Sequence, residues 1–386
     1  MTNTNTSKGF QDFIGEEALK RAKIKSIIEN EFRLFGFEPA ETPLVENEEF
    51  VRGENANDEA VSEIFKLEDR GKRKLALRYE FTFQLKRLAK NQKLPFKRYQ
   101  IGEVFRDEPV SQNRFRQFTQ MDADVVGSSL KDEAETFSLM KNVFEKLGID
   151  FVIYFNNRKL LNEIMVSERV EERNREQVIR ELDKLDKLPK NEVADNLKKL
   201  GAERILKVFD KGNFDKYGSY KEVKELEKLC KSYGVKLEFL PTLARGLSYY
   251  NGTILEVKTK ELRESICAGG AYKIGDIQSF GFSFGLERIS KLSKVTGDKV
   301  KVQVISLGKD KESINLVSSL RERGISTVLT LDKTVGKAME YANSRGIENV
   351  VFVGEEEIKK GKFKVKDMKS GKESFLGLSE LINDLV

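Results

Sequence analysis

RYQIGEVFRDEPVSQNRFRQFTQMDADVV, residues 98–126, carries the pattern from which the architecture is read. It reads as two strands joined by a polar loop at 107–114. In the second strand Phe118, Gln120, Asp122 and Asp124 fall on one side, and Thr119, Met121, Ala123 and Val125 on the other. That is the period of two that an extended chain imposes on its side chains. A polar row of this kind is ordinarily the wet face of an antiparallel sheet, and a function for it needs support from elsewhere in the chain.

Toward the N-terminus, Ile24, Ile27, Ile28, Phe32 and Phe35 recur at helical spacing, with Gly36 where a C-terminal cap belongs. Pro39 and Pro43 then suit an edge or interface strand, and residues 75–90 read as a strand end and loop entering a helix. Toward the C-terminus, residues 158–232 turn rich in Lys, Glu and Arg, with Val178, Ile179, Leu182, Leu185 and Leu188 at helical spacing. Strand patterns return at 235–240, 253–258, 265–270 and 279–284, the last running into a helix from Gly285. From Val300 strands and helices alternate, which predicts an α/β unit paired in parallel through right-handed crossovers. The polar stretch SKVTGDK, 293–299, marks the boundary. The expected fold is therefore an α+β domain (1–157 and 233–296) with a mixed, mainly antiparallel sheet flanked by helices. A helical insertion (158–232) and a C-terminal α/β domain (300–386) complete it.

Composition bounds the chemistry. The 386 residues contain no histidine, which excludes imidazole as a side-chain base, Ser or Cys triads that need one, and His-based zinc sites. Two cysteines, Cys230 and Cys267, are too few for a disulfide framework or a Cys cluster. Net charge is mild, 69 cationic against 63 anionic residues, or +6, compatible with a polyanionic partner without requiring one. Apolar runs stop well short of the roughly 18 residues a membrane span needs, and the first residues, MTNTNTSKGF, read as a polar tail. The expectation is a cytoplasmic protein that acts through carboxylates, guanidinium groups, hydroxyls or bound ions.

Three segments concentrate such groups. FRDE (105–108) with RFRQF (114–118) places arginines around a strand end, where a guanidinium fork can clamp phosphate or carboxylate. LARGLSYYNGTILE (243–256) offers an arginine and paired tyrosines, and GFSFGLERI (281–289) puts a glycine ahead of a helix, where a ligand can approach the backbone. Taken singly each has a plainer reading: a solvated arginine, a turn with half-buried tyrosines, and a Gly-rich turn whose spacing is not the dinucleotide fingerprint.

In their order and spacing these segments resemble the class II aminoacyl-tRNA synthetases, and closely the histidyl-tRNA synthetase family. GFQDFIGEE, the first helix and Pro43 resemble the family's opening and its dimer-forming motif 1. ALRYEFT resembles the amino-acid-binding segment, and FRDE through RFRQFTQMDADVVG resembles motif 2. ARGLSYYNGTILE resembles the histidine signature, AGGAY and GFSFGLERI the glycine segment and motif 3, and 300–386 the anticodon-binding domain. RGLSYYNGT is the most specific of these, since motifs 2 and 3 belong to the whole class.

The resemblance implies a homodimer that joins L-histidine to ATP as histidyl-adenylate and passes the acyl group to tRNA(His). Arg106 would hold the α-phosphate and Arg288 the γ-phosphate, with Gly285 also at the ATP and Mg²⁺ screening the polyphosphate. Arg245 would bridge the substrate carboxylate and the α-phosphate. Glu80, Thr82 and Gln120 would receive the α-amino group, Asp124 and Tyr250 the two imidazole nitrogens, and Tyr249 would support the pocket wall. Departures from the family pattern are Tyr79 and Phe83 at positions where prolines are common, and Ser248 where Asp is usual. Others are Ala271 and Lys273 in place of Arg and Asp, and a motif 2 loop reading PVSQN at 109–113. Two alternatives share the resemblance: an inactive paralogue regulating ATP phosphoribosyltransferase, and an RNA-binding or sensor module.

Overall fold

The alternation over 98–126 folds as a hairpin in the computed structural model of the chain, which describes residues 4–53, 63–185, 188–244 and 249–385. The chain divides into two units, Met1–Thr296 and Gly297–Val386. Among the described residues the first unit holds β1 (Glu38–Pro39), β2 (Val45–Asn47), β3 (Lys66–Glu68), β4 (Lys74–Leu77), β5 (Phe96–Phe105) and β6 (Gln117–Val126). It continues with β7 (Val152–Asn157), β8 (Leu237–Phe239), β9 (Tyr250–Lys258), β10 (Cys267–Ile274) and β11 (Ile277–Gly285). Strands β2, β4 and β3 form a small antiparallel sheet, and the others form one large sheet in the order β1-β5-β6-β11-β10-β9-β7-β8. The edge pairs β1–β5 and β7–β8 are parallel and the inner pairs antiparallel, so the sheet is mixed and mainly antiparallel as its pattern suggested.

One face of that sheet is apolar. Met121, Ala123 and Val125 on β6 and Phe280, Phe282 and Phe284 on β11 are buried, and the helices Gly15–Leu34 and Leu130–Lys146 cover them. Phe32 of the first helix stacks on Phe284, and Phe137 and Phe144 of the second meet Phe280 and Phe284. Each such side chain contributes about 1.5–3 kcal/mol by leaving water. The second helix starts at a capping box in which Asp132 accepts from the Ser129 backbone N–H at 2.8 Å. The first ends just ahead of Gly36, whose φ of 76° is one that L side chains avoid.

The segment 158–232 is helical: Arg158–Ser167, Glu172–Leu182, Lys190–Lys199, Ile205–Lys211 and Tyr220–Ser232. Its buried residues, among them Val178, Leu182, Leu197 and Leu226, are continuous with the core under the large sheet. It therefore lies within the first unit instead of forming a third.

The second unit carries β12 (Val302–Ser306), β13 (Thr327–Thr330), β14 (Asn349–Val353), β15 (Phe363–Asp367) and β16 (Glu373–Leu376), in the order β13-β12-β14-β15-β16. Its first three strands pair in parallel as the sequence suggested, but β15 returns antiparallel to β14 and β16 antiparallel to β15. The cause is connection length. A parallel return needs a crossover of about a dozen residues or more, whereas residues 354–362, with only the short helix Glu355–Lys360, separate β14 from β15. Among the described residues no helix is long and apolar enough to cross a membrane.

Candidate active site

The second face of the large sheet is a polar floor. Pairing sets Asp124 opposite Gly281 and Gly281 opposite Gly270; Asp122 stands opposite Ser283 and Gln120 opposite Gly285. On the other side of β6, Arg98 stands opposite Asp124, Gln100 opposite Asp122 and Gly102 opposite Gln120. Small residues in the middle of the floor leave room above it. A Cβ on Gly281 would lie 1.9 Å from Asp124 Oδ1, and one on Gly270 would lie 2.5 Å from the Thr253 carbonyl. The polar row of β6 lines a cavity, in which Asp122 and Asp124 are 6% and 4% exposed.

That cavity, about 710 Å³, is of the size that holds small ligands. Its lining brings together Glu80, Thr82, Arg106, Gln120, Asp124, Tyr249, Tyr250, Gly285 and Arg288, residues drawn from distant parts of the chain. Arg245 and Ser248 lie outside the described residues. Leu182, Asp183 and Leu185 of the helical segment also reach the lining, so that segment forms part of the wall.

At one end of the cavity Asp124 is held from two sides. Arg98, buried beside Asp124 on the same face, approaches Asp124 Oδ2 with Nη2 at 2.9 Å and donates to the Phe81 carbonyl at 3.2 Å. Tyr272 donates its hydroxyl proton to Asp124 Oδ1. Burial pushes the Asp124 carboxyl above the usual carboxylate range, opposed by Arg98 and Tyr272. Asp122 is likewise pushed up by burial, to about 7, with Arg98 opposing. Tyr249, Tyr250 and Tyr272 form an aromatic wall, with ring centroids of Tyr249 at 4.8 Å from Tyr250 and 5.7 Å from Tyr272. Burial raises the Tyr249 and Tyr272 phenols well above their ordinary value, so both remain protonated donors. Gln120 donates to Ser283 Oγ at 3.0 Å, which fixes its amide over the floor.

The other end is cationic. Arg106 follows β5, with Nε donating to the Tyr79 carbonyl at 3.3 Å and its guanidinium 5.1 Å above the Phe118 ring. Arg288, on the helix Leu286–Leu292, donates to the Ser265 carbonyl at 2.8 Å. Burial lowers its pKa, with Arg114 and Arg106 adding to that and Glu264 and Glu108 opposing; a guanidinium remains charged regardless. Glu287 anchors that helix by accepting from Arg21 at 2.8 Å and from the Thr119 backbone N–H. A Cβ at Gly285 would meet no protein atom within 4 Å, which leaves the backbone there open to a ligand. Glu108 and Glu264, whose charges act on Arg288, complete this end. Their hard oxygens suit a Mg²⁺ ion that takes its remaining ligands from phosphates and water. Among the described residues no three acidic or Cys side chains are grouped to hold a metal by themselves.

The departures from the family pattern have local explanations. Tyr79 and Phe83 pack together, centroids 5.0 Å apart, in a small apolar cluster with Val51, Ile64 and Ala76. Ala271 is buried in the sheet, and Lys273 points to solvent. The loop at 109–113 is tied down at its end, where Asn113 donates to Glu264 at 3.3 Å and Lys291 reaches Asn113 Oδ1 at 2.8 Å.

Sequence reasoning missed Arg98, Asp122, Ser283 and Tyr272 as parts of the site. The hairpin register could have found the first, since a strand pair closed at Phe105 and Gln117 puts Arg98 beside Asp124. The first glycine of GFSFGLERI held a signal for the last, because a Cβ on Gly281 would stand 3.3 Å from the Tyr272 ring.

Residues 9–289 match the family model described as histidyl-tRNA synthetase, and residues 301–386 match the one described as anticodon binding domain. The chain is 33% identical to histidine–tRNA ligase 2 of Shouchella clausii, covering 96% of this chain and 98% of the relative. It is 34% identical to histidine–tRNA ligase 1 of Bacillus anthracis, covering 98% and 99%. Among solved structures, histidyl-tRNA synthetase from Nostoc sp. PCC 7120 superposes with a TM-score of 0.87 at 27% identity, covering 100% of this chain and 99% of that one.

Proposed function

The chain belongs to the histidyl-tRNA synthetase family, and we infer from the cavity's two ends how it carries out the family's reaction. It is an aminoacyl-tRNA synthetase that attaches histidine to tRNA with ATP as a substrate. In the first step the histidine carboxylate attacks the α-phosphate, giving histidyl-adenylate and pyrophosphate. In the second the acyl group passes to the 3′ end of tRNA(His). Neither step needs a nucleophile from the protein, so positioning and charge stabilisation account for catalysis, and a chain without histidine can supply both.

Arg106 holds the α-phosphate and Arg288 the γ-phosphate, while the open backbone at Gly285 lets the nucleotide lie close. Arg245 damps the repulsion between the substrate carboxylate and the α-phosphate. Glu108 and Glu264 would hold a Mg²⁺ ion at this end, which would supply countercharge to the polyphosphate. Glu80, Thr82 and Gln120 receive the α-ammonium group. Asp124 accepts from one imidazole N–H and Tyr250 donates to the other nitrogen, a match to the one donor and one acceptor of a neutral imidazole. A carboxylate has about four acceptor sites, so Asp124 keeps capacity for the substrate while Arg98 and Tyr272 hold it. A side chain of similar size without those nitrogens would leave buried polar groups unpaired, which can discriminate by about 10⁴. Tyr249 backs the wall. The working assembly is a cytoplasmic homodimer.

The observation that carries this reading is the convergence of Glu80, Thr82, Arg106, Gln120, Asp124, Tyr249, Tyr250, Gly285 and Arg288 on one cavity. A solved structure described as an ATP phosphoribosyltransferase regulatory subunit/histidyl-tRNA synthetase, from Bacillus halodurans C, shares the fold at 21% identity. The regulatory alternative is not favoured, because the cavity retains Arg106 and Arg288 and the chain has the anticodon-binding unit. Charging assays on total tRNA test the reading. Labelled histidine is expected to become acid-precipitable on tRNA(His) in an ATP-dependent manner, and labelled glutamine, asparagine or phenylalanine is not. Folded protein that charges no tRNA with histidine would refute it.

A further inference from the structure

On strand β6 Gln120 and Asp124 have assigned partners in the substrate, but Asp122 between them on the same face has none. Asp122 lines the cavity and is 6% exposed. Ser283, opposite it on β11, is hydrogen-bonded to it. Its Oδ1 has no hydrogen-bond partner among the described residues, and neither has Oε1 of Gln120, two positions along. Two buried acceptors side by side without donors are costly, and a ligand that brings donors relieves that cost.

The charges around Asp122 specify what kind of donor. Facing it are Arg98 from β5, Asp124 on its own strand, Glu80 from the segment ahead of the helix Thr82–Leu88, and Arg78 after β4. Arg78 spends its guanidinium on the Thr42 and Glu103 carbonyls, at 2.7 and 2.8 Å. Arg98 is turned toward Asp124 and the Phe81 carbonyl. Glu80, Asp122 and Asp124 thus line the cavity as three carboxyl groups, while Arg98, on the same face beside Asp124, is buried and does not reach the lining. A compact cation with several N–H donors fits that surplus of acceptors.

We propose that Asp122 is a further specificity residue of the amino-acid subsite, accepting a hydrogen bond from the α-ammonium group of the substrate beside Gln120. This rests on the histidine reading above. It gives the pocket a second carboxylate for the ammonium group besides Glu80, and it explains why a buried acid is kept next to Asp124. In the free protein burial holds the Asp122 carboxyl near 7, and an arriving ammonium group favours its ionised form, so binding releases a proton near neutral pH.

Calorimetric titration with two ligands tests this. L-Histidinol has the imidazole and the ammonium group without the carboxylate, and imidazolepropionic acid has the imidazole and the carboxylate without the ammonium group. Asp122→Asn is expected to weaken histidinol about 10- to 100-fold, as loss of a charged hydrogen bond does, and to change imidazolepropionate by less than about 2-fold. Equal weakening of both ligands, or no change in either, overturns the proposal alone. Wild-type protein that binds neither ligand overturns the histidine reading and this proposal with it. A second measurement needs no variant. Triazolylalanine, whose ring does not titrate near neutrality, is expected to release about half a proton on binding at pH 7, read from buffers of different ionisation enthalpy. Binding without proton release would contradict the role of Asp122.

Discussion

Replacing Arg106 by alanine is expected to slow histidine-dependent pyrophosphate exchange about 10²- to 10³-fold, the usual cost of removing one preorganised group aimed at developing charge. The guanidinium stands at the end of β5, steadied by the Tyr79 carbonyl and the Phe118 ring. Both contacts orient it without neutralising it, so its charge is available to a phosphate. Alanine removes the charge and leaves the hairpin intact, because pairing between β5 and β6 runs through the backbone from Phe96–Val126 to Phe105–Gln117. Lysine is expected to restore only part of the rate, since a point charge cannot reproduce a planar bidentate fork. The check is exchange kinetics beside a thermal melt. A well-folded Arg106→Ala protein with full exchange activity would remove this residue from the reaction.

Gly281→Ala is expected to raise KM for histidine about 10²-fold or more, with a much smaller effect on KM for ATP. The added Cβ would sit 1.9 Å from Asp124 Oδ1 and 2.7 Å from its Cγ. Gly281 is paired on both sides, to Asp124 on β6 and Gly270 on β10, so the backbone has little room to retreat. The side chain of Asp124 has to swing away instead. That breaks its contacts with Tyr272 and Arg98 and removes an acceptor from the imidazole, each charged hydrogen bond being worth about 1.5–3 kcal/mol. Arg98 would be left buried without its carboxylate, a loss of about 3–5 kcal/mol in stability. Kinetics at a temperature well below the variant's melting point separate the two effects. An unchanged KM for histidine would show that Asp124 does not read the ring.

Much of this was legible in the sequence because it depended on period and local chemistry. The alternation Phe118, Gln120, Asp122, Asp124 put a polar row on one face of a strand, and the glycine after Phe35 marked a helix end. What the row was for could not be read locally. Whether a polar strand face meets water or a cavity depends on what surrounds it, here β9 and β10 in the same sheet and residues of the helical segment more than fifty positions away. Arg98 was hidden for the same reason: an arginine near the start of a strand has the pattern of a surface residue until its partner strand is placed. In the C-terminal unit alternating strands and helices suggested parallel pairing throughout. The short connections after Val353 and Asp367 decided otherwise, and they could have been counted. Resemblance brought Glu80, Thr82, Tyr249, Tyr250, Gly285 and Arg288 into consideration, and the fold brings them to one cavity with Arg106, Gln120 and Asp124.

The central claim is that this cavity activates histidine with ATP, and exchange of labelled pyrophosphate into ATP addresses it most directly. The chain contains no histidine, so proteolysis of the protein cannot supply the substrate and mask the dependence. With pure, folded protein and Mg²⁺, label is expected to enter ATP when L-histidine is added and to stay at background with other amino acids. Absence of exchange at saturating histidine and ATP, in protein whose fold is verified by circular dichroism and thermal melting, would contradict the claim.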